Sequence, residues 1–203
     1  MPVFLPTIIR DMGYSSIHAQ ALSAPPYIAA FAVVITTAYI SDHHQTRSVP
    51  IMFHSLLATL GYLTIAISGH YESKNTIIRY LALYPATAGF FSAITIIITW
   101  TINNQESDSK KGTGMAILNV IGQCGPLVGT SIFPEEDGPF YVRGMFICAA
   151  FMLLVGILAA ILRVVLKRQN LKARKAGSGE YAGIPLEEGG TARAERTPFE
   201  FML

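Results

Sequence analysis

Five apolar stretches, at about 24–40, 49–68, 77–101, 113–133 and 144–166, hold only two charged residues between them, Arg79 and Arg163. Each run is near the roughly 20 residues that a helix needs to cross the hydrocarbon core of a bilayer. Backbone amides inside lipid must all be satisfied within the segment, which favours helices over strands. The rest of the composition agrees. The chain is 51% hydrophobic and 14% charged, whereas soluble domains carry about a quarter of their residues as Asp, Glu, Lys and Arg. Much of that charge lies after Lys167, so the region before it is more apolar than the average suggests.

The first run opens with Pro25-Pro26, a pair suited to the first turn of a helix, where amide donors are unpaired in any case. Three regions are expected. Residues 1–23 form a partial helix and an extracellular segment, 24–166 a five-helix transmembrane domain, and 167–203 a disordered cytosolic tail, Gly/Glu-rich and too poor in apolar residues to form a core. The N-terminal "MPVFLPTIIRDMG" lacks the basic start and small-residue cleavage site of a signal peptide. Its apolar part is expected to be the last two turns of a span that begins upstream.

Orientation follows from Lys and Arg. The connection at 41–48 holds Arg47, that at 102–112 holds Lys110 and Lys111, and five further bases lie between Lys167 and Lys175. The alternate connections hold Lys74, and Arg143 beside three acids. The first set is therefore expected on the cytosolic side, with the C-terminus in the cytosol. The basic start of the tail is read either as a contact with anionic membrane-lipid headgroups or as a positive flank that only sets topology.

The fourth run has the most patterned faces. Gly114, Gly122, Gly125 and Gly129 fall within a stripe of roughly 80°, and Asn119, Gln123 and Thr130 within roughly 40° beside it. Small residues let membrane helices approach closely. Amides are costly in lipid unless paired, so Asn119 and Gln123 are expected either to bond a neighbouring helix or to contact a ligand. In the third run, Tyr84, Thr95 and Thr99 share a softer polar side, and Pro85 is expected to kink the helix. The threonine hydroxyls are expected to bond their own backbone. Trp100, followed by Asn103 and Asn104, is expected to anchor at the interface. Cys124 and Cys148 are read as small buried apolar side chains. No run holds an interior carboxylate, and His54 is its only histidine-type titrating group.

The strings "LPTIIRDMGYSSIHAQALSAPPY", "AYISDHHQTRS", "TWTINN" and "GPFYVRG" resemble the C-terminal half of a fungal major facilitator superfamily transporter. The similarity covers about residues 1–170 and is nearest the allantoate-permease-like anion:cation symporters. What the resemblance implies is an all-α membrane protein whose five transmembrane helices are the eighth to twelfth of a twelve-helix fold. In that fold, substrate binds between two six-helix halves near the midplane. Carried over, Asp42 takes the acidic and Arg47 the last basic position of a cytosolic gating signature. His43 stands where arginine is common, and Gln45 and Thr46 replace glycine or basic residues, which implies a weaker lock.

The function implied is secondary active transport of a small organic anion, a carboxylate nutrient or vitamin, by alternating access. Tyr84, Asn119 and Gln123 are the candidate substrate contacts, and a proton is the candidate coupling ion, although the spans hold no carboxylates for a relay. The alternative is an inactive truncated chain, or a half-transporter that depends on a second half. A metal-dependent enzyme built on Asp42, His43 and His44 is a third reading. Adjacent histidines in an extended loop rarely share one metal, and no further ligand sits at helical spacing. The chain is therefore read as a multi-pass plasma-membrane protein, not an enzyme, with no cofactor, metal or nucleic-acid partner.

Overall fold

A computed structural model describes residues 5–71, 76–105, 107–181 and 201–203. The described residues form six α-helices: α1 (Leu5–Asp11), α2 (Ser16–His43), α3 (Ser48–His70), α4 (Thr76–Asn103), α5 (Asp108–Ile132) and α6 (Val142–Tyr181). A short 3-10 turn, Glu135–Asp137, precedes α6. Helices α2 to α6 are each long and apolar enough to cross a membrane, and among the described residues there is no strand. The protein is thus an all-helical, multi-pass membrane protein.

Its outer surface has the composition of a lipid-facing one. Ile28, Phe31, Phe53, Ile77, Val120 and Ile121 are each more than 60% exposed, a density of bare large apolar side chains that water would penalise. The contact between α3 and α4, by contrast, is built from small residues. Helix α3 packs most extensively against α4 and α6, and α2 lies on α4. A methyl group on Gly61 would stand 2.6 Å from the Ala86 nitrogen, and one on Gly89 would stand 2.5 Å from the His54 carbonyl oxygen. These two glycines, with Ala58, Ala82 and Ala86, bring the α3 and α4 backbones into direct contact.

Two helix boundaries differ from the sequence expectation. Helix α2 starts at Ser16, because the Ser15 hydroxyl caps it by accepting from the His18 amide at 3.4 Å. Pro25 and Pro26 therefore sit inside the helix. Pro26 has no N–H to give to the carbonyl four residues back, that of Leu22. The Tyr80 hydroxyl of α4 donates to this carbonyl at 2.9 Å, so a neighbouring helix supplies the missing donor. Helix α6 runs on to Tyr181, past the expected end near 166. Its 40 residues extend about 60 Å, twice the thickness of a bilayer core. A helix can continue outside the lipid where Lys, Arg, Gln and Leu favour it. The expected tail between 182 and 200 lies outside the described residues.

The two ends of the bundle are closed differently. At one, Tyr141 donates to Asp11 Oδ2 at 2.9 Å, and Arg79 donates to the Pro139 carbonyl at 3.2 Å while lying over the Phe140 ring. At the other, α2 turns into α3 through Asp42–Arg47.

Candidate functional site

The α2–α3 connection is short and tightly bonded. His44 ends α2, with its amide on the Ile40 carbonyl at 3.0 Å. Gln45 takes a left-handed conformation, φ 52°, costly for a side chain with a Cβ. Its amide nitrogen donates to the Asp42 carbonyl at 2.7 Å, which partly offsets that cost. The Ser41 hydroxyl, fully buried, donates to the Thr46 carbonyl at 2.8 Å.

Arg47 leaves this turn at the N-cap of α3 and is only 5% exposed. Its guanidinium pairs with Asp42 Oδ1 at 2.5 Å and donates to Ser41 Oγ at 3.0 Å. With its amide turned so that oxygen faces the guanidinium, Asn103 of α4 accepts from Arg47 Nη2 at 3.1 Å and Nε at 3.3 Å. That orientation gives the guanidinium an acceptor, whereas the other sets an amide nitrogen against two donors. One buried cation thus ties together the ends of α2, α3 and α4. The Asp42 carboxylate is 62% exposed, so water screens the ion pair and most of the positional hold comes from Ser41 and Asn103. Asp42 and Arg47 were marked in the sequence as a pair. Ser41, beside Asp42 in the same connection, is not singled out by the sequence, and Asn103 is far from Arg47 along the chain.

Tyr84, Asn119 and Gln123 do not form one cluster of bonds. Tyr84 is half-buried, and its hydroxyl lies 3.4 Å from that of Tyr80, the residue that serves Leu22. Tyr84 therefore borders the α2–α4 contact created by Pro26. Asn119 and Gln123 are exposed on α5. The glycine face beside them is bare as well: a methyl group on Gly122, Gly125 or Gly129 would meet nothing within 4 Å. Within this chain α5 touches α4 and α6 only lightly.

Several other polar groups of the spans have hydrogen-bond partners, whereas Ser48 Oγ, His54 Nδ1 and Ser92 Oγ are buried without one among the described residues. Thr95 and Thr99 donate to the carbonyls four residues back, at 2.9 and 3.0 Å, as expected. His54 Nε2 and the Thr37 hydroxyl are 2.8 Å apart, joining α2 and α3 in a buried contact. Cys124 is exposed rather than buried, and Cys148 is intermediate. Trp100 is buried rather than interfacial: it is 4% exposed within a cluster of Ile51, Ile96, Ala159 and Leu166.

The family model of the Major Facilitator Superfamily matches residues 1–201. An MFS-type transporter, cnsO, of Penicillium expansum is 30% identical over 98% of the chain and 39% of its own length. The high-affinity nicotinic acid transporter of Saccharomyces cerevisiae is 27% identical over 86% of the chain and 32% of its own length. An uncharacterized transporter of Schizosaccharomyces pombe is 27% identical over 92% of the chain and 37% of its own length. The chain therefore spans well under half the length of these curated relatives. No solved structure matches.

Proposed function

Because this chain belongs to the major facilitator superfamily, we propose that it is the C-terminal half of a secondary transporter carrying a small organic anion by alternating access, in the allantoate-permease-like branch. The observation that carries the reading is the Arg47 hub. A transporter of this kind must hold helix ends together in one state and release them in another. A single buried guanidinium joining α2, α3 and α4, balanced by an exposed carboxylate, suits such a latch. Asp42 and Arg47 are the gating residues in this reading, and their end of the bundle faces the cytosol of a plasma-membrane protein. The nicotinic acid carried by the yeast relative is a carboxylate, in keeping with an organic anion as substrate and a proton as coupling ion.

Asn119, Gln123 and Tyr84 are the proposed substrate contacts. The bare amide and glycine face of α5 favours a second half seated against it, and a substrate cavity completed only on assembly. A chain without that half would then be inactive on its own. The test is uptake of radiolabelled nicotinate by cells that express this chain alone, or this chain fused behind the first half of the nicotinic acid transporter relative. Uptake by the fusion, lost in Asp42→Asn with insertion unchanged, is the expected result. Uptake unaffected by Asp42→Asn would overturn the gating assignment, and uptake by the chain alone would overturn the need for a second half.

A further inference from the structure

Phe201, Met202 and Leu203 lie against the Arg47 end of the bundle, where both backbone groups of Phe201 and of Met202 are hydrogen-bonded, together with the Leu203 oxygen. Asn170 of α6 clamps Phe201 with both ends of its amide: Nδ2 donates to the carbonyl at 2.8 Å and Oδ1 accepts from the N–H at 3.0 Å. Asn104, just past α4, does the same for Met202, at 3.2 Å to the carbonyl and 2.7 Å from the N–H. The Trp100 indole N–H donates to the same Met202 carbonyl at 2.8 Å, and the Arg47 amide donates to the Leu203 oxygen at 2.5 Å. The side chains have places too. Phe201 and Leu203 pack on the cluster formed by Ile51, Ile96, Trp100, Ala159 and Leu166. Phe201 also walls one edge of an apolar cavity of about 450 Å³ between α3, α4 and α6.

Two asparagines reading successive peptide groups, an indole N–H at the second carbonyl and an apolar seat for alternate side chains form a peptide-recognition arrangement. Backbone bonds supply affinity and the pockets supply choice of sequence. A buried indole needs an acceptor, and Trp100 finds its own about 100 positions away in sequence. We propose that Trp100, Asn104, Asn170 and the start of α3 form a peptide-binding slot whose ligand is the chain's own Phe201–Leu203 segment, and that the filled slot braces α3, α4 and α6 and covers the apolar cavity. Tethering raises the local concentration of such a ligand well above that of a free peptide, so a weak intrinsic affinity suffices. The slot stands on this geometry alone and does not depend on what the protein carries.

Trp100 is the single tryptophan of the chain, so its fluorescence reads the slot directly. The purified chain in detergent is compared with one ending at Glu200, the helical content of both being checked by circular dichroism. Removing the three residues is expected to shift emission to the red and increase quenching by acrylamide. A synthetic peptide of residues 194–203 should reverse both changes saturably on the shortened chain, and a scrambled peptide should not. Asn170→Ala in the shortened chain should weaken that peptide at least about tenfold, since both of its hydrogen bonds to Phe201 are lost. In a second measurement, with Cys124 and Cys148 replaced by serine, Ala159→Cys should react with maleimide faster in the shortened chain than in the full one. Identical emission and quenching in the two chains, equal rescue by the scrambled peptide, or equal labelling of the two would overturn the proposal.

Discussion

Helix α5 and the α3–α4 seam use the same residue type to opposite ends. Gly61 and Gly89 lie where backbone meets backbone, with no room for a methyl group, and four glycines of α5 line a face that no helix among the described residues covers closely. In a membrane, apolar side chains gain nothing by leaving lipid for one another, so association rests on close packing and hydrogen bonds. The seam has the close packing, and the adjoining α2–α4 contact has the hydrogen bond, from the Tyr80 hydroxyl to the carbonyl that Pro26 leaves without a donor. Helix α5 offers small residues and amides but meets no complementary surface here. A glycine stripe is therefore a capacity for packing, and only a partner surface makes it a contact.

The sharpest way to break this contrast is one substitution made in both places. Gly89→Ala should destabilise the bundle by about 3 kcal/mol, because the new methyl would meet the His54 oxygen and the Ala58 nitrogen, which are backbone atoms that cannot turn aside. Gly122→Ala meets open space and should raise stability by up to about 1 kcal/mol through helix propensity. Thermal unfolding of each variant in detergent measures the two signs. Equal losses would mean that α5 is packed after all.

Next in size is Tyr80→Phe, which leaves the Leu22 carbonyl buried beside Pro26 without a donor. A loss of about 1–2 kcal/mol is expected, and a null result would mean that the carbonyl finds water or another donor. Tyr84→Phe should cost only a few tenths of that in the same assay, since its hydroxyl makes one long bond of 3.4 Å to Tyr80. Gly156→Ala tests the contact on the other side of α3, with α6. Its methyl would meet Ser55 Oγ at 2.5 Å, but a hydroxyl can rotate away, so about 1 kcal/mol or less is expected.

The five spans were legible because lipid imposes one requirement, apolar length, that local sequence states outright. The back-bonded hydroxyls of Thr95 and Thr99 were legible for a similar reason, being set within one helical turn. The start of α2 was not. Pro25-Pro26 reads locally as a helix opening, and only the distant Tyr80 lets the helix run through it. The partners of Arg47 split differently: Asp42 is marked by the family resemblance of the short connection they share, whereas Asn103 is brought in by tertiary packing. Trp100 was misread as an interfacial anchor because its acceptor lies on Met202. No periodicity or spacing announces a bond between residues about 100 positions apart.

Asn119→Leu is the smallest expected effect and the one that bears most directly on α5. In the chain alone this amide is exposed. A bare amide against lipid is unfavourable and leucine is not, so the variant should match or slightly exceed the parent, by about 0.5 kcal/mol, in bilayer-reconstituted unfolding. In the fusion carrying a first half the same change should instead reduce nicotinate uptake, because the face would then line a wet cavity or meet a polar helix. Opposite outcomes in the two contexts would mark α5 as a surface made for assembly. A loss of more than about 1 kcal/mol in the chain alone would mean that Asn119 already has a hydrogen-bond partner there, and the contrast between α5 and the seam would fail at that residue.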